Sequence, residues 1–272
     1  MAAPSRPAHG AGSTWDTPEA VDRILRAYHT PDLIAVRQAQ IDVLGPIEGA
    51  AILDVGSGPG IFARDLALRG ARVTAMDSAP AMLAAVADVA GAAGVEVATA
   101  EGEAMRIPFP DATFDAAVMV QVLEYVPDAV GALREVARVL KPGGRLLACD
   151  TDWGAAAWGI GDAALADRIK DAWCATKAHY AAGRLIPDWL VAAGLRVAAW
   201  EPIVLANANA VEGTFHAETW SSYRGALERA GTVPIEELDR FDRLCAEATA
   251  AGTFSFCVLR HAWLGRCEGG PA

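Results

Sequence analysis

From residue 51 onward, short apolar runs alternate with amphipathic stretches at a spacing that predicts parallel βαβ units. Ala51 to Val55 reads as a buried strand entering a glycine turn, Ile61 to Arg69 as a helix, and Arg72 to Met76 as a second strand ending at Asp77. Pro80 to Ala93 follows as a helix, Val95 to Thr99 as a short third strand and Phe114 to Val120 as a fourth. Ala129 to Leu140 has helical spacing. Lys141-Pro142-Gly143-Gly144 makes a tight turn before a fifth strand, Arg145 to Cys149.

The flanks read differently. Residues 14–45 are helical, with Thr17-Pro18-Glu19 as a helix start and a break at His29-Thr30-Pro31. After Asp150 the rhythm loosens. Ala163 to Tyr180 and Pro187 to Ala193 read as helices, Leu195 to Leu205 as a strand, Ile235 to Ala250 as a helix and Thr253 to Leu264 as a final strand. The expected organisation is one domain over residues 14–272. It comprises an N-terminal helical lid (14–45), a core (46–152), and a lid insertion with the C-terminal strands (153–272). Residues 1–13, small and polar with Pro and Gly, are expected to form a disordered leader.

Composition narrows the picture. A chain of 272 residues with 53% hydrophobic content builds a substantial core and lacks the composition of a disordered protein. The longest uncharged run, Ala248 to Leu259, has 12 residues, against about 20 for a spanning helix. No membrane span is expected, and without a secretory signal the expected location is the cytoplasm. A net charge of −11 argues against a nucleic-acid partner. The five cysteines have no CxxC spacing and are expected to be free thiols in a reducing compartment, with no metal site.

Four motifs carry chemistry. In Asp54-Val55-Gly56-Ser57-Gly58-Pro59-Gly60, glycines allow a sharp turn and close backbone approach to a ligand at the carboxyl end of a strand. Dinucleotide sites favour GxGxxG, whereas this loop is GxGxG, with Ile61 where the third glycine would fall. S-adenosylmethionine has no pyrophosphate to cradle. Asp77, 17 residues after Gly60, can accept both ribose hydroxyls, although an Asp at that place can also cap the following helix. Glu103, just after the third strand, can accept the adenine amino proton while the Ala104 N–H serves a ring nitrogen. Gln121, after the fourth strand, is placed to touch the methionine part of the cofactor, with Glu124 and Tyr125 beyond it.

Taken in order, these segments resemble class I S-adenosylmethionine-dependent methyltransferases. The residues are Leu53-Asp54-Val55-Gly56-x-Gly58-x-Gly60, Asp77, Glu103-Ala104-x-x-Ile107-Pro108-Phe109 and the run Leu133 to Gly144. The nearest set is the UbiE-like, or type 11, small-molecule group, and the resemblance is strong over roughly residues 35–152. It implies an α/β, Rossmann-like seven-stranded sheet in the order 3-2-1-4-5-7-6, with the last strand antiparallel, helices on both faces and a helical lid. Glu103 stands where the family more often has Asp. The resemblance also implies that an arginine from the second N-terminal helix, Arg37, pairs with the cofactor carboxylate and that Tyr28 closes over the cofactor. Tyr28, Arg37, Gly56, Ser57, Gly58, Asp77, Ser78, Met82, Glu103, Ala104 and Gln121 make up the expected cofactor set.

The implied reaction is displacement of an activated methyl group from sulfonium to an O, N or C atom of a small, aromatic or hydrophobic acceptor, leaving S-adenosylhomocysteine. A base is needed only where the acceptor must lose a proton. Candidate bases are Asp152, His179 and His216. Six of the eight tryptophans lie between Trp153 and Trp220, which suggests a lid lined with rings, with Asp152 and Trp153 as the first pocket residues. The partner is a small molecule, and the chain is expected to be a monomer or homodimer. Three rivals remain: a nicotinamide oxidoreductase, a nucleic-acid methylase, and an enzyme of this fold that binds S-adenosylmethionine but catalyses a cyclase or decarboxylase reaction.

Overall fold

The computed structural model describes residues 15–268; the leader expected at 1–13 lies outside them. Two helices come first. α1 (Pro18–Tyr28) is capped by Thr17, whose side chain accepts the Ala20 N–H at 3.1 Å. α2 (Pro31–Leu44) is capped by Thr30 in the same way, from the Leu33 N–H at 3.4 Å, and stops at Gly45 with φ +80°. In both, proline at the first helical position needs no hydrogen-bond partner and fixes φ.

The core then alternates β1 (Ala51–Val55), α3 (Ile61–Ala67), β2 (Arg72–Asp77), α4 (Pro80–Gly91), β3 (Ala98–Glu101), β4 (Phe114–Val120) and α5 (Ala129–Val139). β5 (Leu140–Gly159), α6 (Ala163–Cys174), α7 (Ala182–Ala192), β6 (Leu195–Asn207), α8 (Phe215–Ala230), α9 (Ile235–Ala250) and β7 (Ser255–Cys267) complete it. The seven strands order as β3-β2-β1-β4-β5-β7-β6. β7 runs antiparallel to both neighbours, while the pairs on the β3 side of β5 are parallel. Rossmann-like topology is therefore observed as the motifs implied.

Period-2 alternation feeds two apolar layers. Ile52, Ala116, Val118 and Leu147 pack on one face, while Leu53, Ala117, Met119 and Leu146 pack on the other. The sheet is thus covered on both sides by helices.

Three differences from the sequence reading matter. First, Lys141–Gly144 is an excursion inside β5 and not a turn before it. Phe114 pairs Leu140 and Ala116 pairs Arg145, so the intervening residues bulge out, with Gly143 at φ +78°. Second, β5 continues to Gly159, bulging against β7 between Asp152 and Ala157. Third, α8 was not foreseen: its buried residues are few, Gly225 lies within it, and its ends are set by the Thr214 cap and left-handed Gly231.

Candidate cofactor and acceptor site

One cavity of about 820 Å³ opens along the carboxyl ends of β1, β2 and β4, roofed by α1 and α8. Its two ends differ in chemistry.

At one end stands the glycine loop. The Gly56 and Ser57 N–H groups donate to the Met76 carbonyl at 2.8 and 3.0 Å, tying the loop to the end of β2. The Gly58 N–H donates to Asp77 Oδ2 at 2.8 Å, and the Ala79 N–H to Oδ1 at 2.9 Å. Asp77 thus both shapes the loop and faces the cavity. Gly56 has φ +70°, and a Cβ there would stand 2.6 Å from Val122 Cγ2. Gly58 has φ +54° and only open space where a Cβ would be, so the glycine leaves room against the backbone.

Three carboxylates, Asp54, Asp77 and Glu103, line this end. Asp54 is buried, and its Oδ2 has no hydrogen-bond partner among the described residues. Burial, with the charge of Asp77 beside it, pushes the Asp54 carboxyl up to about 7. The cavity's cations, Arg23, Lys177, Arg229 and Arg260, come from α1, the segment after α6, α8 and β7, and none belongs to the loop or to β1, β2 or β3. A pyrophosphate would meet carboxylates here, whereas a cationic ligand with hydroxyl groups finds acceptors. The residues therefore fit S-adenosylmethionine and oppose a dinucleotide.

Glu103 is held by a tight turn, with the Arg106 N–H donating to its carbonyl at 2.9 Å. The segment after it is clamped from α5. Glu135 Oε2 accepts the Ile107 N–H at 3.0 Å, and Arg138 donates to the carbonyls of Ile107 and Phe109 at 2.9 and 2.8 Å. That clamp explains why the Ile107-Pro108-Phe109 and Leu133–Gly144 motifs go together. Arg138, paired with Glu135 and Asp111, is held charged well above the ordinary arginine range.

At the other end lies an aromatic and charged chamber. Trp173 and Tyr223 stack with ring centroids 3.9 Å apart, and Trp153 meets both edge-on. Lys177 Nζ sits 4.1 Å from the Trp173 ring centroid and 4.2 Å from that of Tyr125. It donates to the Tyr125 hydroxyl at 2.8 Å and pairs with Glu124 at 3.7 Å. Trp153 Nε1 donates to Glu124 Oε2 at 2.5 Å. Burial lowers the Lys177 ammonium and pushes the Asp150 carboxyl well up, the latter aided by the Glu124 charge.

Of the expected cofactor set, Tyr28, Gly56, Ser57, Gly58, Asp77, Ser78, Met82, Glu103, Ala104 and Gln121 line the cavity. Gln121 holds a left-handed φ of +58°. Its Oε1 accepts the Thr151 hydroxyl at 2.6 Å, and its Nε2 has no partner. Arg37 does not line the cavity. It is 3% exposed, pairs with Asp65 at 2.7 Å, and donates to the carbonyls of Tyr28 and Leu33 at 2.6 and 3.2 Å. It ties α2 to the end of α1 and to α3 through Nε and Nη1, outside the cavity lining.

The three candidate bases also lie outside the cavity lining. Asp152 pairs with Arg184 at 2.9 Å. His179 stacks on Trp189 and contacts the Pro127 carbonyl at 3.3 Å. His216 is buried among Trp220, Phe254 and Phe256, with neither ring nitrogen bonded, and burial depresses it to about 4. Of the tryptophans from Trp153 to Trp220, only Trp153 and Trp173 reach the cavity. Trp158 and Trp220 pack on Phe241, and Trp200 stacks on Trp263. Sequence reasoning missed Lys177, Trp173 as an individual wall residue, and Arg260. The last had a visible signal: Phe254, Phe256, Val258 and Arg260 fall at period 2, and all four are buried.

Fold and site together combine a Rossmann-like seven-stranded sheet with a cavity whose residues fit S-adenosylmethionine. Residues 53–148 match the family described as "Methyltransferase domain". A demethylmenaquinone methyltransferase of Tropheryma whipplei is 36% identical over 137 residues, 47% of this chain and 56% of that protein. A ubiquinone biosynthesis O-methyltransferase of Alkalilimnicola ehrlichii is 36% identical over 138 residues, 50% of this chain and 54% of that protein. The chain thus spans about half the length of the curated relatives it matches. Among solved structures, a putative methyltransferase from Bacillus halodurans superposes with TM-score 0.60 at 19% identity, over 86% of this chain and 99% of that one. The [4+2]-cyclase SpnF does so at 0.55 and 24%, over 88% and 83%. At such identities these two speak for the fold alone.

Proposed function

We propose that the chain transfers a methyl group from S-adenosylmethionine to an O, N or C atom of a small molecule held in the aromatic chamber. The observation that carries this reading is the single cavity. It joins a glycine loop walled by three carboxylates to a chamber of Trp153, Trp173, Tyr125 and Tyr223. Bound at the loop, S-adenosylmethionine supplies a methyl group already activated by its sulfonium.

The chain's own part is placement. Asp77 and Glu103 offer acceptors to hydroxyl and amino protons, and Asp54 Oδ2 offers a buried acceptor for an ammonium. The loop N–H groups are occupied by Met76 and Asp77, which fixes the loop before any ligand arrives. α1 and α8 cover the cavity and limit water. Alignment of two reactants in a closed site supplies much of the acceleration in such a displacement. Asp152, His179 and His216 have no part in this reading. The net charge of −11 and a cavity of about 820 Å³ support a small molecule over a nucleic acid as acceptor.

Methyl transfer from labelled S-adenosylmethionine to a panel of phenols, hydroxyquinones, amines and aryl carboxylic acids tests the reading. Labelled methylated product in at least one case is expected. Tight S-adenosylhomocysteine binding with no transfer to any acceptor would favour the rival in which a chain of this fold binds the cofactor without methylating.

A further inference from the structure

The chamber contains a buried cation that makes no ion pair among the described residues. Arg260 is 4% exposed and lines the cavity. Among the described residues its side chain makes one hydrogen bond, Nε to Thr151 Oγ1 at 3.2 Å, and no ion pair. Its guanidinium carbon lies 5.4 Å from the Phe215 ring centroid. Lys177 differs, having Glu124 and the Tyr125 hydroxyl. Asp150, the other buried carboxylate nearby, instead accepts the N–H groups of Leu123 and Glu124 at 3.2 and 3.4 Å. A guanidinium held in the interior with no carboxylate in hydrogen-bond contact is unfavourable, and a cavity-facing one gains its partner when a ligand supplies it.

A second donor on the same wall points the same way. Arg260 Nε donates to Thr151 Oγ1, Thr151 donates to Gln121 Oε1, and Gln121 Nε2 is left buried with no acceptor. Two unsatisfied donors, one charged, call for an anion.

We propose that Arg260 anchors a carboxylate of the methyl acceptor, so that the acceptor class is a carboxylic acid with a flat, apolar body. This rests on the proposed function and narrows its substrate. A planar carboxylate matches the paired terminal nitrogens of a guanidinium. Trp153, Trp173 and Tyr223 wall the space for the apolar body. The other available carboxylate is the cofactor's own. Arg260 sits on β7, three strands from β1 in the sheet order, or roughly 14 Å at the usual strand spacing. The S-adenosylhomocysteine arm of the test separates the two carboxylates.

The test uses the full chain as wild type, R260M and R260K. Calorimetry measures S-adenosylhomocysteine and matched pairs of aryl carboxylic acids and their carboxamides, each pair with and without S-adenosylhomocysteine. Expected is a wild type that binds at least one acid tenfold or more tightly than its amide. R260M should lose that preference with S-adenosylhomocysteine affinity unchanged within threefold, and R260K should keep part of it. Without ligand, R260M should melt at or above the wild-type temperature, because an uncompensated charge is gone. An acid–amide preference absent from the wild type, or preserved in R260M, overturns the proposal, as does a lower-melting or unfolded R260M. Loss of S-adenosylhomocysteine binding in R260M with acid binding intact also overturns it, assigning the anion to the cofactor. A wild type that binds no S-adenosylhomocysteine overturns the proposed function instead, and the cofactor-free acid arm still reads Arg260 by itself.

Discussion

Arg37 carries its charge into the interior and keeps it there by pairing with Asp65 and two carbonyls. Its sequence position suggested a ligand contact, and nothing in a linear pattern separates an arginine that binds a cofactor from one that binds a neighbouring helix. R37A is expected to cost about 2–4 kcal/mol, because Asp65 is left half-sealed with only Arg64. A fall of roughly 5–10 °C in Tm follows for a chain of this size, and an unchanged melt would contradict the structural role. Asp54 is the opposite case: legible as part of the motif, but with a state that only the fold reveals. Its carboxyl is raised to about 7 from about 3.9 in the unfolded chain. Ionising it therefore weakens the ligand-free fold as pH rises from about 4 to about 7, and the penalty is full above that. An ammonium at Oδ2 would reverse this, so binding below pH 7 should release a proton. S-adenosylhomocysteine affinity is expected to rise roughly tenfold from pH 6 to pH 7.5 and to stay flat in D54N. A flat wild-type profile would remove the ammonium from Asp54. His216, read as a candidate base, is a packed ring whose low value of about 4 reflects burial alone.

At the scale of elements, the alternation from β1 to α5 was readable because β1, β2 and β4 are largely apolar runs and glycine or proline stands at the ends of the helices between them. β4 fell at its observed bounds. Past Asp150 the sequence hid the architecture. β5 runs through Trp153 to Gly159 where only a loop was needed, and α8 has too weak an apolar stripe to stand out. Yet α8 supplies Thr219, Tyr223 and Arg229 to the cavity, and the segment after α6 supplies Lys177. The acceptor chamber was therefore the least legible part, because it is assembled from elements whose residues satisfy tertiary neighbours and not a local period. The glycine loop was fully legible, since positive φ and close approach leave few alternatives to glycine. G58A tests its role as a cradle. The left-handed φ costs alanine about 1 kcal/mol, and the new methyl projects into open cavity. The expected result is a melt lowered by a few degrees with S-adenosylhomocysteine binding weakened at least tenfold. Undiminished binding would mean that the ligand does not lie against Gly58.

For the whole molecule, the distribution of charge around one cavity carries the account. Asp54, Asp77 and Glu103 stand where β1, β2 and β3 end, with no cavity-lining cation on those strands or the loop, while Lys177, Arg229 and Arg260 line the cavity beyond β4 together with Glu124, Asp128 and Glu218. The sheet order sets that separation, because the loop and Asp77 belong to strands on one side of β4 and Arg260 to β7 on the other. A fold shared with a cyclase cannot by itself specify the reaction, so the claim that matters most is which ligand the carboxylate end receives. The most direct measurement is calorimetric titration of the full chain with S-adenosylhomocysteine and, separately, with NAD, repeated on D77A. The account predicts one-to-one binding of S-adenosylhomocysteine, none of NAD, and at least a tenfold loss in D77A. Binding of NAD without S-adenosylhomocysteine, or a D77A variant that binds as the wild type does, would contradict it.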